Sequence, residues 1–209
     1  VENAARLTAA EDALAALLNP APAVPSAPAA DPFNPDAGKE QIRFDDVSDN
    51  AWYASAVRYA VENGLMNGTG TGKFSPAAST TRGMVMTILA RREGIRTDRY
   101  TPWYAAGCEW AKANGISDGT NPGAAVTRQQ LVALLYRFAE LRNYANGQRA
   151  DLSAYPDAGS VAGYAVEPLQ WSVANGIVGG TSAGTLNPAG TATRAQFAVI
   201  LYRFWNQVA

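Results

Sequence analysis

The sequence predicts an all-α protein made of three helix–loop–helix repeats, preceded by a short helix and a Pro/Ala-rich linker. Three observations predict this fold: an internal repeat, apolar residues at helical spacing, and helix start and stop signals at matching places in each copy. Of the 209 residues, 47% are hydrophobic and 17% are charged. That composition is sufficient for a packed core and argues against wholesale disorder.

The first forty residues read as a separate segment. Leucines among alanines at helical spacing predict a helix over residues 2–18. It stops at Asn19, and the stretch that follows is rich in prolines, at positions Pro20, Pro22, Pro25, Pro28, Pro32 and Pro35. Prolines at that density favour an extended, semi-rigid chain. We expect residues 1–40 to be a tether that does not pack on the repeats.

The repeat is visible once the chain is aligned on an Asn-Gly pair, which recurs with a period of roughly fifty to sixty residues. An aromatic lies twelve residues before each glycine, a second aromatic lies five before it, and a Thr-Arg pair follows downstream. The positions are Asn63-Gly64, Asn114-Gly115 and Asn175-Gly176; Trp52, Trp103 and Tyr164; Tyr59, Trp110 and Trp171; Thr81-Arg82, Thr127-Arg128 and Thr193-Arg194. We divide the chain into copy 1 (41–96), copy 2 (97–147) and copy 3 (148–209).

Each copy carries signals for two helices. The Asn-Gly pair supplies a left-handed stop for the first helix, and the threonine of Thr-Arg is an N-cap for the second. Gln130 and Gln196 complete capping boxes in copies 2 and 3, whereas Met84 stands at that place in copy 1. One such helix pair is too small to bury the apolar stripe of its second helix, but three packed together are large enough.

Composition excludes several classes of function. The chain has no histidine, which removes Ser-His-Asp, Cys-His and His-zinc sites. A net charge of −1 gives no general attraction to nucleic acid, and no apolar run approaches a membrane span. Cys108 is expected to be a buried thiol. The acidic residues Asp45, Asp46 and Asp49 do not recur, so we expect no glycosidase pair, no enzyme activity, no cofactor and no metal.

The motifs resemble the S-layer homology (SLH) domains of bacterial surface proteins. Such repeats open with Phe-x-Asp-Val, here residues 44–47, and close with a Thr-Arg-Ala-Glu-like motif, here at 81–84, 127–130 and 193–196. The resemblance covers about residues 42–209. It implies a pseudo-threefold spindle with grooves between neighbouring repeats. In this family those grooves hold secondary cell-wall polysaccharide, often through a pyruvylated N-acetylmannosamine residue whose carboxylate meets the motif arginine.

The resemblance and the residues together give a candidate ligand site. An arginine at the first position of a helix lies beside free backbone N–H groups, so an incoming carboxylate would find both kinds of donor. Alternatively, each arginine pairs with a nearby aspartate. The aromatic residues either stack on sugar rings or belong to the core. The loop glycines either let the backbone approach a ligand or form a tight turn. The candidates are Arg82, Arg128, Arg194, Trp52, Trp103, Tyr164, Asp46, Asp157, Gly68, Gly119 and Gly180.

The expected function is non-covalent anchoring of an extracellular surface protein to the bacterial cell wall, in a surface layer or a similar coat. The expected partner is an anionic secondary cell-wall polysaccharide. The alternative is a protein–protein or self-assembly module of a surface layer that binds no sugar. Carboxylate-dependent binding of wall polymer would separate the two.

Overall fold

The computed structural model describes residues 43–209, and the predicted N-terminal helix and linker lie outside them. The described part is all-α, as predicted. It contains six α-helices, which we number α1 Ala54–Glu62, α2 Arg82–Arg92, α3 Ala105–Ala113, α4 Arg128–Leu141, α5 Gly163–Ala174 and α6 Arg194–Gln207, with a 3₁₀ turn at Ala158–Ser160. Within residues 43–209 the extended backbone pairs only through isolated bridges.

The helices that carry the motif arginine begin where the sequence predicts. Thr81, Thr127 and Thr193 are the N-caps of α2, α4 and α6, and each side-chain oxygen accepts the N–H of the residue three positions on. The reciprocal bond from Gln130 or Gln196 completes the capping box in α4 and α6. Copy 1 has the threonine half of the box, because Met84 offers no acceptor.

The other three helices, α1, α3 and α5, end at an Asn-Gly stop. The asparagine side-chain amide donates to the carbonyl of the aromatic residue four positions earlier, at 2.9 Å from Asn63 to Tyr59, 2.9 Å from Asn114 to Trp110 and 2.8 Å from Asn175 to Trp171. The glycine that follows has φ between 64° and 69° in all three cases. Only glycine adopts that conformation without steric cost, so the pair both satisfies a terminal carbonyl and turns the chain.

Side-by-side packing joins helices of different copies. Helix α2 packs on α3, α4 packs on α5, and α6 packs on α1 at the other end of the described chain; α2 also touches α4. The second helix of each copy therefore buries its apolar stripe against the first helix of the next copy, and copy 3 closes back on copy 1. The capping and stop signals do not predict which helices pack on each other, so this arrangement is a property of the tertiary fold.

A closed ring of backbone hydrogen bonds joins the three copies. Thr80 N–H donates to Ala192 O at 2.9 Å, Ala192 N–H to Val126 O at 3.1 Å, and Val126 N–H to Thr80 O at 2.9 Å. All three residues are fully buried. Because each of these residues both donates and accepts within the ring, the bonds link the segments that lead into α2, α4 and α6.

The core is rich in aromatic rings. Trp171, Phe138 and Phe204 are among the largest fully buried side chains, and the rings of Phe138 and Trp171 both lie against Phe204. Tyr59 packs edge-on against Tyr202 with centroids 5.1 Å apart, which joins α1 to α6. Aromatic pairs in this geometry add to the stabilisation from buried area.

Candidate functional site

The three motif arginines bridge neighbouring copies. Arg82 donates to residues 117–120 of copy 2, and Arg128 to Leu186 O at 2.8 Å and Gly179 O at 3.1 Å in copy 3. Arg194 donates to Phe74 O at 2.8 Å and Asn67 O at 2.6 Å in copy 1. Each guanidinium thus binds the loop of the next copy, in the same cyclic order as the helix packing.

The backbone N–H groups at the starts of the motif helices are already paired. In α2, Arg82 N–H donates to Ala124 O and Gly83 N–H to Pro122 O, at 3.0 and 2.8 Å. The first two N–H groups of α4 donate in the same way to the carbonyls of residues 190 and 188, and those of α6 donate to the carbonyls of residues 78 and 76. The expectation that a ligand carboxylate would find free backbone donors there is wrong. The neighbouring copy uses these donors, since its loop carbonyls lie directly over the helix ends.

The two candidate aspartates hold loops of their own copies. Asp46 accepts the N–H groups of Phe74 and Ser75, both at 2.8 Å. Asp157 accepts the backbone N–H groups of residues 186 and 187 in the same way, at 2.8 and 2.7 Å. Partial burial raises the pKa of Asp46, but the two N–H donors and nearby Lys73 outweigh it and leave the pKa below its ordinary value. Each aspartate fixes the loop whose carbonyls receive a motif arginine.

The motif arginines differ in their surroundings. Arg194 is 5% exposed, and its guanidinium lies 4.5 Å from the centroid of the Phe74 ring. Burial lowers the pKa of Arg194 and of Arg128, against the opposing effect of Asp46 and Asp157 respectively. Arg82 is the motif arginine that forms an ion pair within the described residues, at 2.7 Å from Nη2 to Asp118 Oδ1.

The three candidate aromatics also differ. Trp103 and Tyr164 are 46% and 50% exposed, which leaves a ring face available to a ligand. Trp52 is half-buried and packs against the core and Tyr53, and its indole N–H is enclosed without a hydrogen-bond partner in the described structure. The sequence does not distinguish these environments because the three residues occupy the same repeat position.

The candidate loop glycines lie close to their own copies. A Cβ on Gly68 would lie 2.8 Å from Lys73 O and 2.8 Å from the Phe44 ring. A Cβ on Gly180 would lie 3.0 Å from the Tyr155 ring, and Gly119 has φ of +75°. Local packing and turn geometry account for all three glycines. Their contact with a ligand stays a prediction.

One groove of about 390 Å³ brings candidate residues of different copies together. Arg82 of copy 1, Tyr164 of copy 3 and side chains of α4 in copy 2 line it together. The lining residues are Arg82, Ser117, Asp118, Gln130, Ala133, Leu134, Arg137 and Tyr164. The sequence reasoning missed Asp118 and Arg137. The recurrence of arginine nine residues after each motif arginine, at Arg91, Arg137 and Arg203, was the available signal.

The described residues hold no group of three or more histidine, cysteine, aspartate or glutamate side chains that would bind a metal ion. Among the helices of residues 43–209, none is long and apolar enough to cross a membrane. Cys108 is half-buried; burial raises the pKa of its thiol, and Arg82 acts in the opposite direction.

One family model matches two segments of the chain, and curated relatives match about three quarters of it. The family model of the S-layer homology domain matches residues 43–83 and 154–198, which lie in copies 1 and 3. The chain is 28% identical over 178 residues to the surface-layer 125 kDa protein of Lysinibacillus sphaericus, covering 77% of this chain and 15% of that protein. It is 28% identical over 182 residues to an S-layer protein of Bacillus thuringiensis subsp. finitimus, covering 78% and 21%.

A relative with a different printed activity matches the same part of the chain. The exoglucanase XynX of Acetivibrio thermocellus is 24% identical over 177 residues, covering 78% of this chain and 16% of the exoglucanase. The chain therefore spans well under a quarter of the length of these three relatives. The S-layer homology matches and the S-layer relatives indicate a location at the cell surface, in association with the cell wall.

Proposed function

We propose that this chain is a non-enzymatic anchoring module that holds a larger surface protein on the bacterial cell wall. Its ligand is an anionic secondary cell-wall polysaccharide, of which a pyruvylated polymer is the leading example, bound in grooves between neighbouring copies. The observation that carries the proposal is the groove beside α4, where two guanidinium groups and an exposed tyrosine converge from three copies.

The groove suits a charged sugar in three respects. Ala133 and Leu134 form an apolar floor, and Tyr164 offers a half-exposed ring to sugar C–H groups. Arg82 and Arg137 outnumber the single carboxylate of Asp118, so the lining carries net positive charge. Concave sites with an apolar floor and a few polar groups are typical of small-ligand and saccharide binding.

The relatives support an accessory role rather than catalysis. One segment is shared by a protein named as an exoglucanase and by proteins named for the surface layer, and it makes up a small fraction of each. A segment common to proteins of such different printed activity is suited to a role that both can use, and attachment to the cell wall is such a role. Catalytic activity then belongs to other parts of those chains.

The cyclic arrangement supports attachment at more than one point. Three junctions between copies meet a polymer whose units repeat, so a second contact, even a weaker one, forms at high effective concentration once the first is made. Linked weak sites commonly gain roughly 10²–10⁴-fold in overall affinity when the geometry allows simultaneous binding.

Calorimetric titration of purified wall polymer from the source organism tests the proposal. The polymer is used intact and after chemical removal of its acidic substituents, with unmodified peptidoglycan as the control titrant. Binding that weakens strongly when the acid groups are removed supports anchoring through an anionic polysaccharide. No binding of either polymer by the folded chain contradicts it. Concentration-dependent self-association in sedimentation, without polymer binding, would instead favour the self-assembly alternative.

A further inference from the structure

The guanidinium of Arg82 is largely occupied inside the protein. Its Nε donates to Thr120 O at 3.1 Å, and its Nη2 donates to Ser117 Oγ at 3.0 Å and to Asp118 Oδ1 at 2.7 Å. The side chain is 15% exposed. Since an adjacent carboxylate already compensates its charge, Arg82 is poorly placed to be the main partner of a ligand acid group.

Arg137, which lines the same groove, presents the opposite situation. It is exposed, and its one hydrogen bond in the described structure runs from Nη1 to Ile116 O at 3.1 Å. No carboxylate of residues 43–209 forms an ion pair with it within 4.0 Å. Its position is held by the Ile116 carbonyl, while its charge is not compensated by an acidic side chain.

Asp118 is exposed, and its Oδ1 forms the ion pair with Arg82. The same oxygen accepts the Thr120 N–H at 3.0 Å and the Ser117 hydroxyl at 3.3 Å. Hydrogen bonds from the backbone and side chain of Thr120 lower the pKa of Asp118, so the carboxylate stays ionised at neutral pH. The side chain is 64% exposed, and an ionised carboxylate accepts hydrogen bonds from sugar hydroxyls.

One loop brings the two arginines of the groove close together. Arg137 donates to Ile116 O, and Arg82 donates to Ser117 Oγ and Asp118 Oδ1, which belong to the next two residues. Helix α4 supplies the rest of this lining through Gln130, Ala133 and Leu134, which lie at helical spacing with Arg137. A ligand that contacts Arg137 therefore lies next to Asp118 as well.

We propose that Arg137 is the residue that recognises the acid group of the ligand in this groove, and that the neighbouring Asp118–Arg82 pair recognises hydroxyl groups. The inference rests on the proposed function and deepens it by assigning the acid group and the hydroxyl groups of the ligand to different side chains. The motif arginine then shapes the groove wall, and the specificity for an anionic polymer resides on α4.

The equivalent arginines in the other copies are placed differently. Arg91 is half-buried and donates its Nε to Thr97 Oγ1 at 2.6 Å. Arg203 is half-buried, its Nε is enclosed without a hydrogen-bond partner in the described structure, and burial lowers its pKa. Arg137 is the exposed member of the three, which concentrates acid recognition in the groove beside α4.

The experiment compares the affinity for intact polymer with the affinity for polymer stripped of its acidic substituents. The variants are Arg137→Gln, Arg137→Lys, Asp118→Asn and, as a control of equal charge change away from the groove, Arg96→Gln. Arg96 is an exposed loop residue paired with Asp98 at 3.7 Å. Matching far-UV spectra and thermal transitions establish that each variant is folded before its affinity is compared.

We expect Arg137→Gln to weaken binding of intact polymer roughly tenfold or more while leaving stripped polymer unaffected, because one charged contact is removed. Arg137→Lys keeps the charge and retains part of the preference. Asp118→Asn weakens binding of the stripped polymer without abolishing the preference for the acid. Arg96→Gln behaves as wild type.

Two results would overturn the inference, and they are distinguishable. If wild type binds intact polymer with a clear acid preference and folded Arg137→Gln keeps that preference in full, the assignment of Arg137 is wrong and the proposed function stands. If wild type binds neither polymer, the proposed function fails and this inference fails with it. Should Arg137→Gln not fold, a wild-type-like acid preference in Asp118→Asn with unchanged affinity for stripped polymer contradicts the role given to Asp118.

Discussion

Replacing Arg194 by alanine should destabilise the fold far more than the same change at Arg82. Arg194 is 5% exposed and closes copy 3 onto copy 1 through hydrogen bonds to Phe74 O and Asn67 O and through contact with the Phe74 ring. Hydrogen bonds from a charged group contribute about 1.5–3 kcal/mol each. Removing the side chain also leaves both acceptor carbonyls without this donor.

The magnitude follows from the balance of these terms. Two charged hydrogen bonds give about 3–6 kcal/mol in gross terms. Removing a buried guanidinium also relieves the desolvation that lowers its pKa, so the net loss is smaller, and we expect about 3 kcal/mol. Arg82 pairs with an aspartate that is 64% exposed, and contacts of that kind contribute about 1 kcal/mol or less each. We therefore expect a loss of about 1–2 kcal/mol for Arg82→Ala.

Equilibrium unfolding in urea, followed by tryptophan fluorescence and far-UV circular dichroism, measures both variants. An unchanged slope against denaturant concentration confirms that the shift in midpoint reports stability alone. Arg194→Ala within about 0.5 kcal/mol of wild type, or less destabilised than Arg82→Ala, would refute the argument that burial decides which motif arginine stabilises the ring.

Three further changes test other parts of the structure. Met84→Gln should complete the capping box of α2 and raise the free energy of unfolding by about 0.5–1 kcal/mol, measured by thermal or urea unfolding. No gain would mean that the packing of the half-buried methionine contributes as much as the added cap. Gly68→Ala should destabilise by more than about 1 kcal/mol because its Cβ would lie 2.8 Å from a backbone carbonyl, whereas Gly70→Ala has open space and should stay within about 0.5 kcal/mol of wild type; equal effects would contradict the close approach. The pKa of Asp46 is lowered in the folded state, so its carboxylate contributes stability above its unfolded value of 3.8 that is lost as the pH falls through the folded value. Asp46→Asn should therefore flatten the acid side of the stability–pH curve, and an unchanged acid limb would remove Asp46 as its source.

Local features of the fold were accessible from the sequence because they depend on short-range chemistry. A threonine N-cap, a glutamine three residues on and an Asn-Gly stop act within one helical turn, and they predict the starts of α2, α4 and α6 and the ends of α1, α3 and α5. The absence of histidine likewise excluded whole classes of catalytic and metal sites from composition alone.

The candidate site was accessible only in part. Repetition identified Arg82 and Tyr164, and both line the groove beside α4. Their neighbours Asp118 and Arg137 were missed, since an aspartate in a single loop and an arginine late in a helix carry no local sign of a shared cavity. Residues at the same position of the repeat also have different environments, which the sequence does not show. Arg194 is buried, whereas Arg82 forms an ion pair with an exposed aspartate.

The sequence by itself determined the helical class, the starts of α2, α4 and α6 and the ends of α1, α3 and α5, because each depends on residues that are close along the chain. The tertiary structure alone decided that each second helix packs on the first helix of the next copy and that copy 3 closes on copy 1. The bond between Arg194 and Asn67 joins residues 127 positions apart. Contacts at that separation depend on how the apolar stripes of all the helices pack together. That packing decides whether each arginine lies in the core, against a loop or in the groove.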